Sequence, residues 1–424
     1  MLGNLVTKTD VLVVGGGTAG AVAAIQSARA GARTMTVESG CQLGGTMTTG
    51  GVGFPGLFHA WGRQIIAGIG WELVLRTVEL GGGVLPDFSL PCGSRHWLHQ
   101  IRLDGGLYAA VAEEACVESG VQLCYYEMPV AVDACDDGWV VATVGKGTRR
   151  RIRSRQLIDC TGDADVVAMA GFERVRGQES QPGTLQFRLG GFEVGSLDGP
   201  MVEDRYRGAL ASGELAPGDV ASSSAAFVSF LSGGGRNAQH VIGADSSTAA
   251  TQTAANIAGR ASLLRILRFV RSLPGCEGAH VIEVAPQTGV RETYRIVGET
   301  RVTVEDYVGG RVHDDAICHA FYPIDVHTEE GVKPKQLTQG VVPSVPLRAL
   351  IPKGSRSLLA AGRCVSSDRL ANSALRVQAP CMAMGQAAGA AAALATRDGV
   401  SPGQVAYGEL VSLLRLHGAI VPEA

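Results

Sequence analysis

Along the first forty positions, apolar and small residues change period twice. Asp10-Val-Leu-Val-Val14 is a short β-branched run and predicts a strand buried on both faces. A glycine-rich turn follows, Gly15-Gly-Gly-Thr-Ala-Gly20. Ala21–Ala30 then carries Val22, Ile25 and Ala28 at helical spacing, and Gly31 can end that helix in the left-handed conformation. Thr34–Val37 predicts a second strand, closing at Glu38. The pattern is strand–turn–helix–strand, a βαβ unit.

Further on, Leu107–Cys116 predicts a helix and Val121–Tyr126 a strand. Val130–Asp133 and Trp139–Val144, on either side of Asp136-Asp-Gly138, predict a hairpin. Arg149, Arg151, Arg153 and Arg155 recur at every second position, so they line one face of another strand. Such a row suits an anion patch or the solvated face of an antiparallel strand, and the second reading is favoured. Gln156–Cys160 leads into another glycine turn, Thr161-Gly-Asp-Ala-Asp165. From about Gly190 to Lys335 the texture loosens: Gly, Ser and Ala loops (Ala221–Ala226, Ser232–Arg236) surround one long predicted helix, Ala249–Leu273, stopped by Pro274. The strand–helix alternation returns at Ser357–Ala361, Gly362 and an Ala-rich helix.

These readings give an α/β fold with a discontinuous Rossmann-like nucleotide-binding domain (residues 1–58, 105–190 and 340–424). An inserted α+β substrate or cap domain takes residues 59–104 and 191–339. Val377–Thr396 has no formal charge over a length that could cross a bilayer, but Ala, Gly, Gln378, Pro380 and Gln386 make it too weakly apolar for lipid. It is expected to be a buried helix whose small side chains allow close packing.

Composition narrows the function. The 424 residues carry 37 Lys and Arg against 40 Asp and Glu, a net charge of −3, without the cationic surplus of a general nucleic-acid binder. The 58 glycines are roughly twice average usage and mark places where backbone passes close to something. The ten cysteines contain no C-x-x-C pair, which argues against zinc ribbons, redox pairs and iron–sulfur runs. His96 and His99 have helical spacing but no third ligand nearby, so no metal is expected. The N-terminus lacks the pattern of a signal peptide, and a cytoplasmic location is expected.

The candidate chemistry starts at Gly15-x-Gly17-x-x-Gly20. Gly15 makes the tight turn, Gly17 admits a pyrophosphate to the backbone amides, and Gly20 lets the helix pack closely on the sheet. Thr18 and Ala19 open the helix whose N-terminus stabilises phosphate charge. Glu38, followed by Ser39, accepts from the adenosine ribose hydroxyls and disfavours a 2′-phosphate. A plain NAD dehydrogenase leaves the second glycine cluster, Leu43–Gly51 with Gly44, Gly45 and Thr46, unexplained.

With that cluster, VLVVGGGTAGAVAAIQSARAGARTMTVESGCQLGGTMTTGG resembles the start of bacterial FAD-dependent oxidoreductases related to fumarate reductase and succinate dehydrogenase flavoproteins. Ile158-Asp-Cys-Thr-Gly-Asp-Ala-Asp-Val166 is similar to the family's second FAD-contacting turn, implicating Thr161, Gly162 and Asp163. Pro286–Gly298 and Phe321-Tyr-Pro-Ile-Asp-Val-His327 resemble its substrate-domain signatures. Leu358–Cys364 and Ser373–Val377, leading to Gly385–Gly389, resemble its C-terminal flavin segment, implicating Gly362, Arg363, Arg376 and Val377; Val130 is a further cofactor candidate. Arg363 meets FAD or locks the seam between domains. Arg376 adds positive charge where the reduced flavin becomes negative, or makes an ordinary helix-start ion pair.

The resemblance implies FAD and a small-molecule substrate, with self-association left open. Succinate dehydrogenase-type proteins attach FAD through a His near this glycine cluster; Thr46-Met-Thr-Thr-Gly has none, so non-covalent FAD is expected. The implied reaction is hydride transfer between a small oxygenated substrate and flavin N5, with a His as acid or base. His327 leads, with Asp325 as its orienter. His59 is second; Tyr322 and His319 are weaker. Arg291 clamps a carboxylate or pairs with Glu292 or another buried acid. The alternatives are a flavin monooxygenase and an electron-transfer flavoprotein subunit.

Overall fold

A computed structural model describes residues 4–91, 95–220, 226–328, 331–332 and 334–423. Strand β1 (Asn4–Val14) feeds helix α1 (Thr18–Arg29), which returns to β2 (Thr34–Glu38). Helix α2 (Gly105–Glu118) leads to β3 (Gln122–Tyr125), followed by the meander β4 (Glu127–Cys135), β5 (Gly138–Gly145) and β6 (Thr148–Asp159). Helix α3 (Ala249–Arg271) belongs to the inserted region, and β7 (Leu358–Ala360) and α4 (Gln378–Asp398) close the fold.

The main sheet runs β3-β2-β1-β6-β5-β4, with β7 also on β6. Strands β3, β2, β1, β6 and β7 are parallel to their neighbours, whereas β4, β5 and β6 form an antiparallel meander. Strand β6 serves two partners along one edge. Thr148–Ser154 pair with β5, and beyond it Leu157–Asp159 pair with Leu358–Ala360. Chain segments some two hundred residues apart thus meet in one sheet.

The βαβ unit matches its sequence pattern, but β1 begins well before Asp10. Thr7, Lys8 and Thr9 pair with Ile152, Arg153 and Ser154, so this half of the strand is held by ladder hydrogen bonds and leaves no apolar signal. The arginine row on β6 has its solvated reading: Arg149, Arg151 and Arg155 are exposed, and Arg153 pairs with Asp137 at 2.7 Å. Arg150, on the opposite face, pairs with buried Glu127 at 2.9 Å.

Helix α4 is buried over most of its length against α1. A Cβ on Gly385 would lie 2.1 Å from the Ala19 carbonyl oxygen, and one on Gly389 2.3 Å from that of Ala23. The uncharged run is therefore a close helix–helix crossing. Among the described residues no helix is long and apolar enough to cross a membrane.

A separate core lies between residues 185 and 285. It joins the strand pair Phe187–Gly190 and His280–Val284 to α3 and the helices Gly199–Ser212 and Phe227–Ser232. Tyr206 and Phe269 pack on Phe227 at ring distances of 4.7 and 5.3 Å. The long helix ends at Arg271, two residues short of Leu273, and residues 221–225 of the expected loop lie outside the described residues. Buried residues of 60–101 and 302–351, including Ile69, Leu73, Ile101, Tyr307 and Val345, join the core around α1 and α4 instead. Packing thus limits the independent core to a narrower span than the change in texture suggests.

Candidate active site

At the end of β1, Gly15 has φ +96°, and its missing Cβ would lie 2.5 Å from the Cys160 carbonyl oxygen. On Gly20 a Cβ would lie 1.8 Å from the Gly15 carbonyl oxygen. On Gly17 it would meet nothing within 4 Å. Two glycines are therefore required by packing, while the middle one opens onto space. Gly17 caps α1 with no side-chain hydrogen bond, so Thr18, Ala19 and Gly20 begin a helix whose first turn faces that opening.

The second glycine cluster lies against the first. Gly44 N donates to the Gly16 carbonyl at 2.8 Å, Gly17 and Gly44 form a bridge, and a Cβ on Gly45 would stand 3.0 Å from Gly17 Cα. Thr46 is exposed at the rim. The Glu38 carboxylate accepts from Gly16 N and Gly40 N, both at 2.6 Å, with the Ser39 hydroxyl at 3.3 Å.

Buried Asp159 shapes the Thr161–Asp163 turn by accepting from Thr161 N at 3.0 Å, Thr161 Oγ1 at 2.7 Å and Val167 N at 3.0 Å. Arg363 grips the same turn: Nε donates to the Gly162 carbonyl at 2.9 Å, and Nη2 to Asp163 at 2.6 Å and Ser246 Oγ at 3.3 Å. Nη1 donates to the Val290 carbonyl. All three Arg363 nitrogens therefore donate to protein acceptors. Gly362 lies beside Ala19, so the turns at 15–20, 44–46, 161–163 and 362–363 converge. Val130 lies on β4 at a register shift and is more than half exposed.

These features fit an extended adenine dinucleotide: an uncapped helix start, a glycine with open space, a facing glycine strip and a carboxylate at the end of β2. Residues 52–56 cross the start of α4, where Gln378 Nε2 donates to the Val52 carbonyl at 2.9 Å and Ala379 N to that of Pro55 at 2.8 Å. Val377 caps α4 without a side-chain hydrogen bond, leaving the positive end of the helix beside this segment.

Next to it lies a buried polar cluster. Arg376 donates from Nη2 to Gln181 Oε1 at 3.2 Å and to the Asp325 carbonyl at 3.3 Å, while its buried Nε makes no hydrogen bond. Arg291 donates to the Pro182 carbonyl at 2.5 Å and Asn237 Oδ1 at 3.5 Å. Neither guanidinium has a carboxylate within ion-pair distance among the described residues. The expected alternative, Arg291 with Glu292, is not formed. Glu292 instead pairs with Arg369 at 3.0 Å and accepts from Gln181 N and Nε2. Burial, with Arg376 nearby, pulls Arg291 down to about 9; burial also lowers Arg376.

His327 sits in this cluster with Nε2 3.2 Å from Asp325 Oδ2, the expected pair, although only His327 lies in a strand. A residue that sequence reasoning missed stands on its other side: His240 Nε2 is 2.9 Å from His327 Nδ1. Gln181 was missed as well; its Oε1 accepts from His327 N at 3.0 Å and from Arg376. Both fall in or beside the stretch that matches no motif, and only folding brings them here.

No contact brings His59 to His327. His59 stacks on Phe88 at 3.7 Å and lines a cavity of about 280 Å³ with Leu57, Trp61, His99, Phe321 and Pro323. Tyr322 connects the regions, its hydroxyl receiving Gln100 Nε2 at 3.2 Å and its ring packing on His96 at 5.1 Å. His319 is partly buried, with Nδ1 unpartnered. His96–His99 form a short 3₁₀ turn; His99 Nε2 lies 2.9 Å from the Leu90 carbonyl. Among the described residues no three His, Cys, Asp or Glu are grouped to hold a metal.

Burial lowers His59 and His327 to about 4 and His240 to about 3, from 6.5. The unfolded chain then binds more protons between pH 6.5 and 4, so stability is complete above 6.5 and falls as pH drops through that window. Thermal melts should show Tm declining from pH 7 to pH 4, with a shallower decline in His327→Gln.

The family model for FAD-dependent oxidoreductases matches residues 10–414, and the chain belongs to that family. It is an FAD flavoenzyme with a Rossmann-type α/β fold. No curated protein matches it. A geranylgeranyl bacteriochlorophyll reductase-like protein from Thermoplasma acidophilum is similar at 12% identity over 97% of this chain and 83% of that one, with a TM-score of 0.45. The myxobacterial chondrochloren halogenase CndH matches at 11% identity over 97% of this chain and 79% of its own, TM-score 0.42. The anhydrotetracycline hydroxylase OxyS from Streptomyces rimosus matches at 18% over 43% of this chain, which spans 38% of that enzyme, TM-score 0.29.

Proposed function

We propose that this enzyme transfers hydride between a small oxygenated organic substrate and non-covalently held FAD, and that the substrate carries an oxyanionic group. The observation that carries this reading is the pair of buried guanidiniums, Arg291 and Arg376, with no carboxylate within ion-pair distance among the described residues. Two buried cations that face the single Asp325 carboxylate, which is itself hydrogen-bonded to His327, leave an excess of positive charge in the site, and this is costly unless a further anion completes it. The narrower kinship with fumarate reductase and succinate dehydrogenase flavoproteins belongs to the same reading, on the motifs at residues 158–166, 286–298 and 321–327.

Gly15, Gly17, Thr18, Ala19 and Gly20 would hold the pyrophosphate, and Glu38 with Ser39 the ribose. Gly44, Gly45, Thr46, Thr161–Asp163, Gly362 and Arg363 would enclose the rest, with Val130 on the outer side. Bound FAD supplies the two-electron acceptor or donor at its N5. Val377 and the α4 N-terminus offer positive potential beside that group, Arg291 and Arg376 bind and orient the substrate oxyanion, and the His327–Asp325 pair handles the proton.

The test is purification followed by a spectrum with absorbance near roughly 450 nm, then anaerobic bleaching by small carboxylate-bearing alcohols or amines. Reduction only by NAD(P)H with oxygen uptake would favour the monooxygenase, and flavin reduced only through a partner protein the electron-transfer subunit. A colourless chain that FAD cannot reconstitute would overturn the reading. Acid precipitation should leave the yellow colour in the supernatant. Glu38→Gln should weaken FAD retention on dialysis by about 10-fold, since one charged acceptor is lost. Arg291→Met should raise KM about 100-fold for the oxyanionic substrate at unchanged flavin content.

A further inference from the structure

Both ring nitrogens of His327 are engaged inside the protein. Nε2 lies 3.2 Å from Asp325 Oδ2 and Nδ1 2.9 Å from His240 Nε2, while Gln181 fixes the His327 backbone N–H at 3.0 Å. The two rings meet edge to face at 5.1 Å. His240 is 4% and His327 8% exposed, so neither exchanges these partners for bulk water.

Protonation states follow in order along this chain. Asp325 is held ionised, because the His327 hydrogen bond and the Arg376 and Arg291 charges outweigh its burial. A carboxylate only accepts, so the His327 proton is on Nε2, and the neutral ring has its lone pair on Nδ1. That lone pair accepts from His240 Nε2–H, which leaves the His240 lone pair on Nδ1. This atom is buried and makes no hydrogen bond. The groups facing the rings are Arg291, Arg376 and Asp325, and the Thr328 backbone stands beside His240 as a competing hydrogen-bond acceptor for its ring N–H. Arg291 acts on both rings, which places the dyad against the cationic pair already assigned to the substrate.

We propose that Asp325, His327 and His240 form one proton relay whose working end is Nδ1 of His240, with His327 as its middle, positioning member. The inference rests on the reading that the Arg291–Arg376 site takes the substrate. A ligand O–H proton passes to His240 Nδ1, breaking the O–H bond and leaving its electron pair on the ligand. The His240 Nε2 proton moves to His327 Nδ1, and the His327 Nε2 proton stays on the Asp325 hydrogen bond. The net result is a ligand alkoxide and a His327 imidazolium beside Asp325; the reverse restores both. The relay has a physical reason. A positive charge kept on His240 would face Arg291 with no adjacent carboxylate, whereas one ring further on it meets Asp325.

Ring-¹⁵N histidine NMR on the FAD-loaded and the flavin-stripped enzyme tests this directly. His240 is expected to be protonated at Nε2 and bare at Nδ1 in both forms. Asp325→Asn, which does not touch His240, is expected to shift the His240 ring signals. A His240 protonated at Nδ1, as a cap on the neighbouring Thr328 backbone requires, would overturn the relay. So would His240 signals indifferent to Asp325→Asn; if that variant does not fold, the wild-type tautomer decides. His240→Gln is expected to slow flavin reduction by at least about 100-fold at unchanged FAD content, and a wild-type rate would also overturn it. Failure of the relay leaves a yellow, substrate-bleached protein, whereas failure of the underlying function leaves no bleaching at all.

Discussion

Gly15→Ala is expected to abolish FAD retention and to lower Tm. The φ of +96° costs an L-residue on the order of 1–2 kcal/mol by itself. The larger effect is steric. The new Cβ would stand 2.5 and 2.6 Å from the Cys160 carbonyl oxygen and carbon and 2.9 Å from Thr161 N. All three are backbone atoms of the neighbouring strand end and cannot rotate aside. Gly15 N is also tied to the Val37 carbonyl and Cys160 N to that of Val14, both at 2.8 Å. Relief of the clash must therefore spread β1 from β6 and displace the Thr161–Asp163 turn together with the opening over Gly17. A loss of FAD affinity of at least about 100-fold, roughly 2.7 kcal/mol, is the expected scale. It is read as flavin per protein after gel filtration. Gly31→Ala supplies the control: φ is +89°, but its Cβ meets nothing within 4 Å. It should carry the dihedral cost alone and stay yellow. A colourless Gly31→Ala, or a yellow Gly15→Ala, would refute the steric account.

Asp163→Ala is expected to cost roughly 3–5 kcal/mol, the range for removing one member of a buried pair. Asp163 is 6% exposed. Its Oδ1 receives Arg363 Nη2 at 2.6 Å, Thr293 Oγ1 at 2.5 Å and Ser246 Oγ at 2.9 Å. One carboxylate oxygen thus joins the turn after β6 to three segments distant in sequence. Its removal leaves the Arg363 charge facing carbonyls and a hydroxyl, and two hydroxyls without their acceptor. For a chain of this length that corresponds to a Tm drop of about 5 °C. Asp163→Asn keeps an acceptor but loses the charge, so it should fall between wild type and alanine. Equal melting temperatures for wild type and Asp163→Ala would show that the seam is held elsewhere.

Legibility differed from residue to residue. Gly15, Gly17, Gly20 and Glu38 could be read because a tight turn, a close helix and an acidic strand end each need a particular residue type at a fixed offset. The Arg row of β6 could be read as solvated because alternation alone sorts its faces. The polar start of β1 could not, since ladder pairing with residues 149–154 requires no apolar side chain. Arg363 stayed ambiguous in sequence, because its partners at Gly162, Asp163, Ser246 and Val290 are spread over more than a hundred residues.

By itself the sequence determined the glycine turn after β1, the βαβ unit that contains it and the small-residue helix that packs on α1. In each, the physical demand is local: a backbone angle, a period, or room for a neighbouring helix. Tertiary structure alone decided that Arg291 takes no partner from Glu292, that His59 and His327 occupy separate surroundings, and that His240 and Gln181 join the buried cluster. Those outcomes depend on charge and hydrogen-bond distances between segments far apart in the chain, and spacing along a sequence holds no record of them.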